Sequence, residues 1–242
     1  MKLDYAYHYR KWHSDDPQHV QSMRAYYRRM LAPYLPPDRS AEILDVGCGV
    51  GLAMLAVREL GFTKLGGIDC DEGQVKAAVA NGLDVALVSD TVAFLNQNAG
   101  RYGAIICLDV IEHVRPESQM EFVSALGKAL TKSGVLVCTV PNANSALGGR
   151  WRYIDWTHCS SFTEHSLDFL LHHAKLGDIR IEEIDYFQRP RNIWLPIGGT
   201  RHWWAFRFFR MIRRLQMMAE LGPDQGRRVP LSLNLLGVAR KV

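Results

Sequence analysis

The chain has 242 residues, 48% of them hydrophobic and 22% charged, a composition too apolar for disorder and sufficient for one sizeable core. No apolar run opens the chain, and nowhere do eighteen uncharged apolar residues follow one another. Neither a signal peptide nor a membrane span is therefore expected, and the protein is placed in the cytoplasm. Five cysteines spaced 20 or more residues apart, with no C-x-x-C pair, suit neither a disulfide frame nor a zinc knuckle. The net charge is +4 but unevenly spread: nine arginines against two acids between residues 188 and 229 put a local +7 on a remainder of −3. A basic segment on a mildly acidic body calls for an explanation beyond solubility.

In chain order, the first forty residues carry Tyr5, Tyr9, Trp12, His13, Tyr26 and Tyr27 before the breaker PYLPPD. They read as one or two helices, either packed on a sheet edge or closing over a ligand. From residue 41, short runs rich in β-branched residues alternate with helix-length segments, the pattern of a parallel sheet covered on both faces. Strands are predicted at 42–46, 64–69, 84–88, 102–108 and 135–140. Helices are predicted at 51–60, closed by Gly61, at 72–80, closed by Asn81 and Gly82, at 91–96, and at 116–130 with proline in its first turn. A polar loop follows Pro141, and Thr163 caps a helix over 164–173. A sixth strand is expected at 179–187 and a seventh at 232–241.

The stretch ILDVGCGVGLAM, residues 43–54, runs from the first strand into the first helix through Gly47, Gly49 and Gly51. Glycines there let the backbone approach a ligand at the carboxyl ends of the strands. Dinucleotide sites want G-x-G-x-x-G, whereas here the spacing is tighter and Asp45 precedes it. A carboxylate two residues before the first glycine discourages a pyrophosphate and suits a cationic or amino-bearing ligand. Twenty-two residues after Gly47 the second strand ends at Asp69, placed to accept hydrogen bonds from both hydroxyls of a ribose. The expected ligand is a nucleoside without phosphates.

D-x-G-x-G-x-G, the G-I-D that ends the second strand and YGAIICLDVIEHV together resemble the class I S-adenosylmethionine-dependent methyltransferases over about residues 41–187. The resemblance implies a doubly wound, seven-stranded, mostly parallel α/β sheet of Rossmann-like type with an antiparallel last strand. It implies one domain over 1–242: a helical lid or edge at 1–40, a cofactor-binding core at 41–187, a basic aromatic insertion at 188–229 and the last strand at 230–242. It further implies S-adenosyl-L-methionine as cofactor, lined by Asp45, Gly47, Cys48, Gly49, Gly51, Asp69 and Cys70, with Asp90 near the adenine and Leu108 with Asp109 as a shelf. Two of these residues have simpler roles open to them: Gly51 permits close helix–strand packing and Asp90 caps a helix.

Methyl transfer from a sulfonium is an in-line displacement, so a hydroxyl acceptor must be aligned and relieved of its proton. His113 in IEHV and His158 in YIDWTHCSSFT are the candidate bases, with Asp155 three residues before His158 to orient it. IEHV resembles quinone-biosynthesis O-methyltransferases, whereas DWTH followed by FTEHSLDFLL resembles methyltransferases of bacterial surface-polysaccharide pathways. The first expectation is methylation of a sugar hydroxyl, on an acidic sugar or its lipid-linked precursor. A small-molecule O-methyltransferase and a non-catalytic cofactor-binding regulator are the alternatives. A metal set drawn from Asp109, Glu112, His113, Asp155 and His158 is not expected, because its one pair four apart starts at a strand end. The segment RHWWAFRFFRMIRRLQMMAEL reads as a helix with Arg207, Arg210 and Arg214 on one face. It suits an interfacial helix on the inner face of an anionic membrane, an arginine wall for an acidic glycan, or a dimer or core helix. Trp12, Trp156 and these three arginines are the acceptor candidates, the protein being monomer or homodimer. No nucleic-acid partner is expected, since no RNA-binding signature accompanies the arginines.

Overall fold

A computed structural model describes residues 16–184 and 198–242. Trp12 and the predicted strand positions 185–187 lie outside the described residues. The elements run α1 (Pro17–Leu31), β1 (Ile43–Val46), α2 (Leu52–Glu59), β2 (Leu65–Asp69), α3 (Glu72–Ala80), β3 (Val85–Leu87), α4 (Thr91–Gln97) and β4 (Tyr102–Leu108). A 3₁₀ turn at Ile111–His113 follows, then α5 (Pro116–Ala129), β5 (Leu130–Pro141), α6 (Gly148–Tyr153), α7 (Glu164–His173) and β6 (Leu176–Glu183). The chain closes with α8 (Gly198–Leu221), α9 (Pro223–Arg228) and β7 (Asn234–Lys241).

The strands form one sheet in the order β3-β2-β1-β4-β5-β7-β6. The pairs among β1 to β5 are parallel, and β7 lies antiparallel to both β5 and β6. Strand side chains alternate between faces, so Ile105 and Cys107 enter one core with Leu126, Leu136 and Leu171, while Ala104 and Ile106 enter the other with Ile43, Val57 and Val137. Both faces being covered explains why the central strands read as continuous apolar runs rather than as alternating ones.

The order of strands reverses between β1 and β4, and the first turn of backbone beyond β1 is where glycine is required. Gly47 has φ +70°, and a Cβ there would press on the Val110 side chain. Gly51 has φ +85° as the left-handed N-cap of α2, and a Cβ there would drive into Leu83. Its space is filled by packing of α2 against the α3 side of the sheet.

At the other end of β5, Asn142 is fully buried and its Nδ2 donates to the carbonyls of Pro230 (3.0 Å) and Ser232 (2.8 Å). The segment entering β7 is thereby stitched to the carboxyl end of β5. The helix α1 begins where Asp16 accepts from His19 N–H (3.3 Å) with Pro17 in the first turn. It packs on α2, with Arg24 and Arg28 paired to Glu59.

The structure departs from the predicted elements in few places. β5 begins at Leu130, directly at the end of α5, and β6 begins at Leu176 rather than at residue 179. The short helices α6 and α9 are additional, as is the 3₁₀ turn. Gly51→Ala is expected to lower the unfolding free energy by about 1–3 kcal/mol through backbone strain and the clash with Leu83. Urea unfolding measures it, and a change within experimental error would show that this turn is not constrained as described.

Candidate active site

A cavity of about 790 Å³ opens at the carboxyl ends of β1, β2, β4 and β5. In an open α/β sheet this is the crevice at the reversal of strand order, where ligands bind. Its floor at one end is the β1 turn. The N–H groups of Gly47 and Cys48 donate to the Ile68 carbonyl at 2.8 and 3.1 Å, which fastens that turn to β2. The Asp69 carboxylate accepts from Gly49 N–H (2.9 Å) on one oxygen and from Asp71 N–H (2.8 Å) on the other. Two backbone donors fix its orientation, and a carboxylate still has lone pairs to offer a hydroxylated ligand. Burial pushes the Asp69 pKa up, against the pull of those donors.

Asp45 is 2% exposed, and its Oδ2 has no hydrogen-bond partner among the described residues. Burial, with the nearby Asp69 charge, pushes its pKa up to about 7. A buried, under-satisfied carboxylate on a cavity wall is completed by a cationic or N–H-bearing ligand. The residues at this end thus fit a cationic, hydroxylated ligand such as S-adenosylmethionine. Gly47, Cys48, Gly49, Cys70, Leu108 and Asp109 also line the cavity.

The other end is built by the turn after β4 and the loop after α6. The Glu112 carbonyl accepts from Cys159 N–H (2.6 Å) and Ser160 N–H (3.3 Å), so the two segments are tied together. Gln119 of α5 reinforces the tie, its Nε2 donating to the Val114 carbonyl (3.0 Å) and to Ser160 Oγ (2.9 Å). The rings of His113 and His158 meet edge to face with centroids 4.7 Å apart. Asp155, 7% exposed, accepts from Thr157 N–H (2.7 Å) and Thr157 Oγ1 (2.6 Å). Thr157 Oγ1 in turn lies 2.8 Å from His113 Nδ1.

Asp155 is thus linked through Thr157 to His113. The Nδ1 of His158 faces the Trp151 carbonyl at 3.1 Å. Asp109, at φ +54°, is braced by Thr139 Oγ1 (2.9 Å) and Asn234 Nδ2 (2.7 Å), and Trp151 Nε1 donates to Asn234 Oδ1 (2.8 Å). Trp151, Thr157 and Asn234 escaped the sequence reading because each works through a partner distant in the chain. Glu112 stood in the IEHV motif, yet nothing local marks it as 1% exposed.

Several predicted residues fall away from the cavity. Asp90 caps α4, accepting from Ala93 N–H at 2.9 Å, and Gly51 packs on Leu83; neither lines the cavity wall. Trp156 is 91% exposed and does not line it. Of Arg207, Arg210 and Arg214, the last two turn toward the body of the protein, whereas Arg207 is exposed. Arg210 and Arg214 pair with Glu183 of β6, and Arg214 also donates to the carbonyls of Gly226 (2.8 Å) and Val229 (2.5 Å). Arg207 stacks over Trp203. None of the three lines the cavity. The helix α1 packs on α2 and contributes His19, Met23 and Tyr27 to the cavity.

A sheet in the order 3-2-1-4-5-7-6 with its only antiparallel strand next to last, and an acid-flanked glycine turn opening on the crevice, defines a Rossmann-like methyltransferase fold. Residues 12–179 match the family described as "Methyltransferase domain", and the chain belongs to that family. A ubiquinone biosynthesis O-methyltransferase of Rickettsia canadensis is 33% identical over 105 residues, which cover 42% of this chain and 43% of that protein. The match therefore spans less than half of the relative. The fold is similar to that of a SAM-dependent methyltransferase from Archaeoglobus fulgidus, with TM-score 0.69 at 21% identity over 99% of this chain and all of that one. It is also similar to a Haemonchus contortus phosphoethanolamine N-methyltransferase 2 in complex with S-adenosyl-L-methionine, with TM-score 0.59 at 14% identity over 94% of this chain and 58% of that one.

Two measurements check the cofactor end. Asp69→Ala is expected to weaken S-adenosylmethionine binding about tenfold or more by calorimetry, the loss of charge-assisted hydrogen bonds. Because burial pushes the Asp45 pKa up to about 7 and a bound cation favours its ionised form, affinity is expected to fall about tenfold from pH 8 to pH 6. Asp45→Asn should flatten that profile; an unchanged slope would remove Asp45 from the site.

Proposed function

We propose that the chain is an O-methyltransferase acting on a hydroxyl of a small, largely apolar acceptor of phenolic or quinone-precursor type. The observation that carries this reading is the make-up of the acceptor end. Two imidazoles and a buried carboxylate share the cavity lining with Val110, Pro141, Trp151 and Ile154, with no lysine or arginine among the described lining residues. An acidic sugar would need guanidinium or ammonium partners, and the arginines expected to supply them point elsewhere. The relative named as a ubiquinone biosynthesis O-methyltransferase supports the same acceptor class. The surface-glycan reading retains the DWTH loop motif alone in its support.

S-adenosylmethionine, when bound, supplies an electrophilic methyl group on a sulfonium sulfur. Asp45 and Asp69 hold and orient the donor, and the apolar wall excludes water from the path of the incoming oxygen. His113 and His158 stand at the end where the acceptor hydroxyl loses its proton. The Asp155–Thr157 relay fixes His113 with its proton on Nδ1, because Thr157 spends its own hydrogen on Asp155 and must accept from the ring. His158 carries its proton on Nδ1 for the same reason, its neighbour there being a carbonyl. Both rings therefore have Nε2 as the lone-pair nitrogen when neutral.

Contact with a bilayer that harbours the acceptor is part of this proposal. α8 turns Arg210 and Arg214 toward Glu183 and carries Trp204, Phe208, Met211 and Leu215, 49–55% exposed, on its outer stripe. Such a stripe, edged by exposed Arg201 and Arg207, suits an anionic membrane surface. No described helix is long and apolar enough to cross a membrane.

Catechols bearing an apolar chain are expected to be methylated at least about tenfold faster than uronic-acid glycans; the reverse preference would return the glycan reading. His113→Ala and His158→Ala should each lower kcat about a hundredfold while leaving cofactor affinity intact. The wild type should sediment with vesicles containing an anionic lipid, and Trp204→Ser with Phe208→Ser should abolish it. Failure of the wild type to sediment would confine acceptor capture to solution.

A further inference from the structure

Glu112 raises a question that the transfer reaction leaves open. It lies on the 3₁₀ turn after β4, is 1% exposed, and neither oxygen of its carboxylate has a hydrogen-bond partner among the described residues. A buried carboxylate left so costs several kcal/mol unless a proton or a cation completes it. Its candidate ligand atom and one each from His113 and His158 all lie within 4.8 Å of one another. All three residues line the cavity.

Each imidazole has the outer support of a metal ligand. Metal-binding histidines donate the hydrogen of the second ring nitrogen to a carbonyl or carboxylate, which sets the tautomer and raises ligand basicity. His158 meets the Trp151 carbonyl through Nδ1, and His113 meets the Asp155 carboxylate through Thr157. One ligand atom from each imidazole and one carboxylate oxygen converge there. Two imidazoles with one carboxylate match catalytic zinc sites that keep a fourth position for water or substrate. Zinc ligands about 2.0–2.1 Å from the ion lie about 3.3 Å apart, so modest side-chain rotations close the cluster. Linear spacing hides this set: Glu112 and His113 are adjacent on a 3₁₀ turn, and His158 arrives from the loop pinned to the Glu112 carbonyl.

We propose that Glu112, His113 and His158 bind a divalent zinc-type cation whose open position faces the acceptor hydroxyl. The cation polarises that hydroxyl, as a Lewis acid does for bound water. The O–H bond breaks and its proton leaves to solvent. The oxygen then forms a bond to the methyl carbon as the carbon–sulfur bond breaks, and the sulfur keeps the electron pair. Burial, then the charge of Asp109, raises the Glu112 pKa well above the usual carboxylate range; a cation would reverse that penalty. This assignment rests on reading the acceptor end as the place where the hydroxyl is deprotonated, but its test does not depend on turnover.

The full chain, purified in trace-metal-free buffer, is titrated with Zn²⁺ and separately with Co²⁺, and S-adenosylmethionine binding is measured on the same samples. The expected result is one zinc per chain and a visible cobalt band of the strength of a four-coordinate site. Zinc affinity should fall at least about tenfold in Glu112→Gln and in His158→Ala. Equal zinc affinity in wild type and both variants, or absence of the cobalt band in the wild type, overturns the proposal; the wild-type spectrum decides even where a variant fails to fold. Loss of zinc binding with intact cofactor binding would sink the metal site alone, whereas absent cofactor binding would sink the methyltransferase reading of the site.

Discussion

The structure is organised around carboxylates withdrawn from water at the ends of parallel strands. Asp45, Asp69, Asp109 and Glu112 border one cavity, and burial raises the pKa of each. Backbone and side-chain donors offset part of this for Asp69 and Asp109, while Asp45 and Glu112 each retain oxygens without partners. Negative potential in a low-dielectric crevice selects cations. A sulfonium donor is such a cation at one end, and the cluster around Glu112 makes the same demand at the other.

The glycine turn and the stitched loops serve that arrangement. Gly47 brings main chain close to the ligand space while leaving Asp45 at the end of a fully buried strand. At the far end, Glu112 is held through its own carbonyl by Cys159 and Ser160, so its carboxylate position is set by backbone hydrogen bonds. Trp151, Asn234 and Asp109 form a second thread from α6 through β7 to β4. Both walls of the acceptor end are therefore anchored to the sheet, which is what positioning an oxygen in line with a methyl group demands.

Much of this was legible in the sequence. Central strands announced themselves as β-branched apolar runs, and the spacing of Gly47, Gly49 and Gly51 with Asp45 and Asp69 marked the crevice. Periodicity correctly grouped Arg207, Arg210 and Arg214, but periodicity says which side chains share a face and not which way that face turns. Here Glu183 on β6 draws Arg210 and Arg214 inward and leaves Arg207 exposed. The short helix α6 begins with a glycine pair and carries no apolar repeat, so only its place between β5 and the His158 loop makes it a helix. The tautomers of His113 and His158 depend on Thr157 and Trp151, contacts that exist only once the loops are folded together.

The first helix is secured unevenly. Met30 and Leu31, near its carboxyl end, are sunk in the core, whereas Pro17 and Gln18 at the opposite end are exposed. Between them, Arg24 and Arg28 reach Glu59 across a surface wet enough for dissolved ions to loosen the attachment. His19, Met23 and Tyr27 lie between these ends and line the crevice. The crevice is thus bordered on one side by a helix sunk in the core at one end and open to water at the other.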